Sequence, residues 1–428
     1  MANRNIFCNV PWTNLHIYWD GSYGVCCSEK KRFTNDPEHN IKKMTVREWY
    51  KCRVMDSVRR DISGDDPLVN CVGCYKEEAV GYESRRIKEN FKSVIFTEQA
   101  FERSYLQSPW INKFESHTAD IDPIDWHVDL GNECNLACKM CNAQASSTIA
   151  AKLRLHGKHE GNIKQSWADD SVAWDRFLES IDAAPIRRLH VMGGEPMLMK
   201  RYHQLIDHLI AKERFEISLS FVTNGTIIDQ ELINKLKLFV NVDIEISIES
   251  LQHNNDYIRQ GSSIDQLRAN IELVAANQDD KLQLVLRTVP QLLSIKTYAE
   301  LIRYAYDNQL IIEGIPLIRP EFMAIRVLPK SMRLDMIPAF QTLRDEISKG
   351  IVLQQIQNGR NKVSYREKLM RECDAMIRML DEPEPDNVSI LRKQLADHLF
   401  FWDNIYQFDI DRYYPELMPM LESHGYGV

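Results

Sequence analysis

From residue 121 onward, short apolar runs alternate with amphipathic segments, and this alternation limits the possible fold more than any other feature. The segments between the runs have apolar residues at helical spacing, as Leu205, Leu209 and Ile210 do. The candidate strands are Trp126–Leu130, Arg188–Met192, Glu216–Thr223, Val242–Ile248, Leu282–Thr288 and Met323–Val327. Short parallel strands require helical crossovers, so the pattern predicts an α/β fold with a parallel sheet. Six units are too few for the closed eight-stranded barrel, and we expect a partial (β/α)6 barrel.

The carboxyl ends of these strands hold the unusual residues of the predicted barrel. Chemistry in (β/α) folds is concentrated at this edge of the sheet. In chain order the four groups are a triple cysteine after the first strand, Gly193-Gly194-Glu195-Pro196 after the second, Thr223-Asn224-Gly225 after the third, and Ser247 with Glu249 at the fourth. The sequence therefore predicts a functional site that combines these four groups.

The length of the chain predicts more than one domain. Its 428 residues are about three times a common domain size. Near the N-terminus, strand-forming residues flank an Asp20-Gly21 turn signal, and the resulting hairpin would bring Cys26 back towards Cys8. We expect a small N-terminal domain with its linker over residues 1–110, the partial barrel over 111–330, and a mostly helical C-terminal region over 331–428.

Composition and charge narrow the class of protein. Hydrophobic residues make up 44% and charged residues 27%, too apolar for a disordered chain. The net charge of −8 argues against nucleic acid or an anionic membrane as a partner. The sequence has neither a membrane-spanning apolar run nor an N-terminal signal-peptide pattern. We therefore expect a cytoplasmic protein, in which clustered cysteines indicate metal or redox chemistry more than disulfides.

Three of the ten cysteines form the most specific pattern in the sequence. Cys134, Cys138 and Cys141 have the spacing C-x3-C-x2-C on one predicted loop. A cubic iron–sulfur cluster normally takes four thiolates, so three leave one iron without a protein ligand. Such an open position is what a metal site keeps when it must bind a substrate. Structural zinc is the competing metal, but it needs four closed ligands, and no nearby residue supplies the fourth.

The three-cysteine motif followed by Gly193-Gly194-Glu195-Pro196 resembles the radical S-adenosylmethionine (SAM) superfamily over about residues 121–330. The resemblance implies that the three cysteines hold a [4Fe-4S] cluster whose open iron chelates the amino and carboxylate groups of SAM. It also implies reductive cleavage of SAM to methionine and a 5′-deoxyadenosyl radical, which abstracts a substrate hydrogen.

The same resemblance implies a set of SAM contacts. Gly193, Gly194 and Glu195 would contact the methionine end, Arg259 would pair with the carboxylate, and the remaining contacts would be Thr223, Asn224 and Ser247. Two positions depart from the family pattern. Asn142 follows the last cysteine where an aromatic residue is common, and the Ser-x-Asp of strand four is Ser247-Ile-Glu249.

A second group of cysteines lies upstream of the predicted barrel. Cys8, Cys26, Cys71 and Cys74 resemble the ligands of a twitch domain, the short form of the SPASM domain, which implies an auxiliary [4Fe-4S] cluster. The twitch-like module precedes the barrel here, as in the N-terminal-twitch group of radical SAM proteins. Cys27 is the alternative to Cys26, because adjacent strand residues point to opposite faces. A structural zinc ribbon is the alternative to the cluster.

These observations leave three functional hypotheses. The leading one is a radical SAM enzyme that modifies a peptide or protein, with a reductant such as flavodoxin or ferredoxin as a partner. The second is a dehydrogenase of a small polar metabolite, a sugar or a cyclitol. The third is a non-catalytic cluster-binding protein, against which the intact cysteine and Gly-Gly-Glu-Pro motifs argue.

Overall fold

The computed structural model describes residues 7–27, 29, 32–64, 66–79, 84–90, 122–158, 166–350 and 365–427. Its strands are β1 Asn14–Ile17, β2 Tyr23–Gly24, β3 Asp125–Asp129, β4 Ala137–Cys138, β5 Arg188–Met192, β6 Ser218–Thr223, β7 Asn241–Ser247, β8 Arg259–Gln260, β9 Leu282–Thr288 and β10 Ile311–Gly314. Eight of them form one sheet in the order β10-β9-β7-β6-β5-β3-β1-β2. All neighbours in this sheet are parallel except β1 and β2. The order ends on two different edge strands, so the predicted open α/β barrel is confirmed.

Helices connect the parallel strands and form the C-terminal region. The α-helices are Val10–Thr13, Val46–Tyr50, Arg53–Ile62, Val72–Ala79, Ser147–Leu155, Ser171–Ala183, Lys200–Ala211, Gln230–Leu236, Asn254–Ile258, Ile264–Ala276, Ile295–Asp307, Lys330–Lys349, Tyr365–Asp381, Val388–Tyr406 and Met418–Glu422. Between β5 and β6, the crossover helix buries Tyr202, Leu205, Ile206 and Leu209, spaced for one helix face. The described residues after 330 are mostly helical, as predicted for the C-terminal region. Among the described residues, no helix has the length and apolarity to cross a bilayer.

The sixth predicted strand is wrong. Met323–Val327 lies in two short 3-10 helices, Glu321–Met323 and Ile325–Val327, and the sixth barrel strand is β10. Met323, Ile325 and Val327 are all buried. The alternation of apolar residues in this segment is therefore due to packing against the core and not to a β-strand.

The N-terminal hairpin is confirmed and belongs to the barrel sheet. β1 pairs antiparallel with β2, and its other edge pairs parallel with β3, with Leu15 opposite Trp126. The predicted N-terminal module therefore shares backbone hydrogen bonds with the barrel. The predicted boundary between residues 110 and 111 lies outside the described residues.

The two faces of the sheet differ in chemistry. Trp126 of β3 contacts Phe177 of the helix Ser171–Ala183, so this face is covered by helices. The opposite face presents a row of imidazoles on three neighbouring strands: His16, His127 and His190 are partners in register. All three are buried. The inner face of the barrel is therefore polar.

Candidate functional site

The three-cysteine loop is fixed by backbone pairing on one side. It leaves β3, and β4 pairs antiparallel with β8, which puts Cys138 opposite Arg259. Lys139 N donates to Ile258 O at 2.9 Å, and Cys141 N donates to Cys138 O at 2.9 Å. The loop backbone therefore takes its shape from the segment that contains Arg259.

The helix that follows the loop fixes its other end. Ser146 caps the helix Ser147–Leu155, and its hydroxyl donates to Leu136 O at 2.7 Å. Cys134 N donates to the hydroxyl of Ser147 at 3.1 Å. Ser146 and Ser147 thus provide hydrogen-bond partners for backbone groups of the loop and of the helix N-terminus that would otherwise have none.

The environment of the thiols suits a bound metal. Burial raises the pKa of Cys134 and the pKa of Cys138 to about 11, and it also raises the pKa of Cys141. Arg259 opposes this effect at Cys138, where its Nη1 donates to Sγ at 3.8 Å. Thiols with raised pKa values become stable thiolates when a bound cation supplies compensating charge. The donor set therefore fits an iron–sulfur cluster.

The Gly-Gly turn touches the cysteine loop through its backbone. Gly194 N donates to Gly131 O at 2.9 Å, and Glu195 N donates to Glu133 O at 2.7 Å. A Cβ atom at Gly194 would lie 2.2 Å from Glu133 O, and Gly193 has φ +137°. Both positions need glycine, because a side chain would clash with the loop or strain the backbone. The structure thus brings Gly193, Gly194 and the three-cysteine loop together.

Glu195 joins the ends of β5 and β6. Its carboxylate is buried and accepts hydrogen bonds from Met197 N at 3.0 Å, the Thr223 hydroxyl at 2.7 Å and Asn224 N at 2.5 Å. Burial raises the pKa of Glu195, and these hydrogen bonds oppose the rise. Asn224 Nδ2 in turn donates to Asn135 Oδ1 of the cysteine loop at 2.7 Å. The carboxylate of Glu195 therefore points at the Thr-Asn-Gly turn.

Arg259 lies between a cysteine and a carboxylate. Its Nη2 donates to Glu249 Oε1 at 2.7 Å, and Nε has no hydrogen-bond partner in the part of the chain that the structure describes. Glu249 Oε2 accepts from Val289 N at 2.9 Å and from the Thr288 hydroxyl at 3.2 Å. Ser247 is buried at the end of β7. The guanidinium of Arg259 is thus buried, incompletely paired and next to the three-cysteine loop, which suits the binding of a ligand that has a carboxylate.

The sequence placed Glu249 in the predicted site but did not predict its partner. In the structure Glu249 forms an ion pair with Arg259. The sequence did contain a signal for this role. Glu249 lies two positions after Ser247, so its carboxylate belongs to the same strand end as the other predicted SAM contacts.

Four upstream cysteines line one cavity. Cys8, Cys26, Cys71 and Cys74 face this space. Burial raises the pKa of Cys8 and the pKa of Cys71 to about 12, and it raises the pKa of Cys74. Among the described residues, no three His, Cys, Asp or Glu side chains are placed to hold a single metal ion.

Cys27 is not among the residues that line that cavity, and its thiol contacts His16 and His127 of the imidazole row. Its sulfur accepts a hydrogen bond from Arg85 Nη1 at 2.6 Å, and Arg85 Nη2 contacts His127 Nε2 at 2.8 Å. The two adjacent thiols also interact with each other, which raises the pKa of Cys26 and lowers the pKa of Cys27. The choice of Cys26 over Cys27 as the fourth member of the upstream group stays a prediction.

Comparison with known proteins identifies the domain that contains the three-cysteine loop. The model of the radical SAM superfamily matches residues 128–307. Radical SAM cyclopropyl synthase TigE of Paramaledivibacter caminithermalis is 28% identical over 155 residues, which are 35% of this chain and 32% of that relative. Sporulation killing factor maturation protein SkfB of Bacillus subtilis is 24% identical over 176 residues, 41% of this chain and 37% of that protein.

A third relative matches over a similar length. Mycofactocin maturase MftC of Mycobacterium tuberculosis is 27% identical over 175 residues, 40% of each chain. The chain thus spans about two fifths or less of the length of these curated relatives.

Two solved structures are also similar. SuiB of Streptococcus suis bound to S-adenosylmethionine has a TM-score of 0.37 at 15% identity, covering 69% of this chain and 63% of that chain. Native anSMEcpe with bound AdoMet has a TM-score of 0.39 at 15% identity, covering 53% of this chain and 63% of that chain. The match over residues 128–307, which contain the three-cysteine loop and the Gly-Gly-Glu-Pro turn, shows that this part of the chain is a radical SAM domain.

Proposed function

We propose that this protein is a radical SAM enzyme that cleaves SAM and abstracts a hydrogen atom from a peptide or protein substrate. One observation carries the proposal: the Gly-Gly turn is hydrogen-bonded directly to the three-cysteine loop at the carboxyl edge of the sheet. When bound, a reduced [4Fe-4S] cluster supplies the electron that converts SAM to methionine and a 5′-deoxyadenosyl radical.

The residues of the chain have separate tasks in this proposal. Cys134, Cys138 and Cys141 hold three irons of the cluster and leave the fourth for SAM. Arg259 binds the carboxylate of SAM, and its ion pair with Glu249 fixes the guanidinium in place.

The remaining SAM contacts follow the strand ends. The backbone of Gly193 and Gly194 contacts the methionine end, which only a residue without a side chain allows at this distance from the loop. Glu195 positions the Thr223-Asn224 turn through two hydrogen bonds. Ser247 completes the contacts from the end of β7.

The upstream cavity is proposed to hold an auxiliary [4Fe-4S] cluster on Cys8, Cys26, Cys71 and Cys74. Four thiols around one buried space support it, since a cluster of this kind takes four thiolates. Metal analysis separates this cluster from the zinc alternative. Two clusters give about eight iron atoms per chain, whereas zinc at the upstream site gives about four iron atoms and one zinc atom.

A peptide or protein substrate is supported by the resemblance to twitch and SPASM proteins. Two relatives are named a maturation protein and a maturase, words that fit the modification of a precursor. A ferredoxin or flavodoxin is the proposed electron donor.

The test is substrate-dependent cleavage of SAM. Reconstituted protein is reduced with dithionite under anaerobic conditions and supplied with SAM and candidate precursor peptides encoded beside its gene. Formation of 5′-deoxyadenosine that rises with one peptide, together with a mass change in that peptide, supports the proposal. Stimulation by a sugar or cyclitol, with none by peptides, would replace the peptide hypothesis with the dehydrogenase.

A further inference from the structure

A buried ion pair joins the three-cysteine loop to Val388–Tyr406, a helix of the C-terminal region that we call the C-terminal helix. Lys139 lies between two of the loop cysteines, and its Nζ is 2.9 Å from Asp403 Oδ1. The two side chains are 1% and 3% exposed. The ammonium also lies 4.0 Å from the centre of the Tyr257 ring, a distance at which a cation is attracted to the ring face.

The second oxygen of Asp403 is also bound. Asp403 Oδ2 accepts hydrogen bonds from the hydroxyls of Tyr257 and Tyr426, each at 2.9 Å. Buried ion pairs are poor stabilisers, because desolvation of the charges offsets their attraction. A buried pair whose carboxylate is bound at both oxygens is therefore better explained by the geometry that it imposes than by stability.

The helix Val388–Tyr406 reinforces the same contact. Trp402 packs in a small apolar cluster with Ala137 and Ile149, and Cys141 contacts this cluster. His398 Nε2 donates to Lys139 O at 2.9 Å. The helix thus holds both the side chain and the backbone of Lys139.

The network also includes the segment that contains Arg259. Tyr257 bonds Asp403, Lys139 N donates to Ile258 O, and Arg259 contacts the sulfur of Cys138. The segment that contains Arg259 and the helix Val388–Tyr406 therefore both hold the cysteine loop, in addition to the helix Ser147–Leu155. The two supports meet at Asp403.

We propose that Asp403 and Lys139 are positioning residues that lock the three-cysteine loop in the conformation that holds its cluster. The identity of the cluster rests on the proposed function. The positioning role itself rests on the contacts of Lys139 and Asp403 described above. Because ligands that are held rigidly by their surroundings bind metal more tightly, loss of the lock should release iron faster.

The test uses the double substitution Lys139→Met with Asp403→Leu, which removes both charges and leaves no unpaired buried charge. The matched control is Lys393→Met with Asp397→Leu, which removes an exposed pair from the same helix. Reconstituted proteins are mixed with an iron chelator and followed by absorbance. The phase from the three-cysteine cluster is identified as the one absent in Cys138→Ala.

We expect that phase to be about 10-fold to 100-fold faster in the double variant and unchanged in the control. The electron paramagnetic resonance signal that SAM perturbs should broaden in the double variant, since the loop samples more conformations. Release at the parent rate from a folded double variant, with an unaltered signal, would overturn the positioning role.

A second variant keeps the test decisive if the double variant does not fold. Tyr426→Phe removes one hydrogen bond to Asp403 and should accelerate release about threefold; the parent rate would overturn the proposal. Failure of the parent protein to cleave SAM would count against the proposed function. The comparison of iron-release rates would still decide whether Lys139 and Asp403 position the three-cysteine loop.

Discussion

Gly194 is the position where a single methyl group should disrupt the site. The Cβ of an alanine would lie 2.2 Å from Glu133 O, and both groups are fixed by backbone pairing. We predict that Gly194→Ala lowers the free energy of unfolding by about 3 kcal/mol, measured by urea denaturation, because the turn and the loop must separate. Gly64→Ala is the control, since its nearest neighbour would lie at 3.2 Å. Equal stability of both variants would contradict the close contact.

Arg259 offers a second test at the residue scale. Arg259→Lys keeps the charge but loses the fork that reaches Cys138 and Glu249 together. We predict that the KM for SAM rises about 10-fold to 100-fold, the value of one or two charged hydrogen bonds. Arg412→Lys, in a 3-10 helix near the C-terminus, is the control. An unchanged KM in Arg259→Lys would exclude this residue as the carboxylate partner.

At the scale of elements, local sequence patterns predicted strands well where periodicity and burial agree. β5 and β9 have exactly the predicted limits, because each is a short apolar run between helices. Met323–Val327 failed, since alternation of buried residues also arises in irregular turns that pack on a core. Apolar residues at helical spacing run from Val46 to Ile62, but this segment forms two helices, Val46–Tyr50 and Arg53–Ile62, and Thr45 forms a capping box for the first.

Acid should lower the stability of the folded protein through His398, which lies on the helix Val388–Tyr406. Burial lowers the pKa of His398 from its usual 6.5 to about 4, and its bond to the Lys139 carbonyl opposes this only in part. The unfolded chain therefore takes up a proton between pH 6.5 and 4 while the folded chain does not, so stability falls as the pH is lowered through this range.

His398→Gln keeps an N–H donor without a titrating group. We predict that, between pH 7 and pH 5, iron-free wild-type protein loses about 1–2 kcal/mol more unfolding free energy than the variant does. Denaturation by urea at the two pH values measures this difference. Parallel losses in the two proteins would contradict the inferred burial of a neutral imidazole.

At the scale of the whole molecule, the contacts that sequence analysis did not predict are those between distant segments. Lys139 and Asp403 are 264 residues apart, and no local pattern links them. β1 lies beside β3 although more than a hundred residues separate them. Spacing of cysteines and glycines, in contrast, is local information, and it predicted the groups that meet at the carboxyl edge of the sheet.

The N-terminal hairpin near the upstream cysteines and the strand before the three-cysteine loop belong to one eight-stranded sheet. Bound clusters should therefore stabilise the whole protein. Ligands that bind the folded state alone shift the unfolding equilibrium. We predict that reconstitution raises the Tm of the iron-free protein by several degrees, and that Cys71→Ala shows a smaller rise. A Tm that does not respond to iron would contradict cluster binding by folded protein.

Cleavage of SAM should depend on the three-cysteine loop. Wild-type protein, Cys138→Ala and the control Cys52→Ala are reconstituted anaerobically, reduced with dithionite and given SAM, and 5′-deoxyadenosine is quantified by chromatography. We predict product from the wild type and Cys52→Ala, and none above background from Cys138→Ala. Equal product from Cys138→Ala and the wild type would show that SAM cleavage does not use the three-cysteine loop.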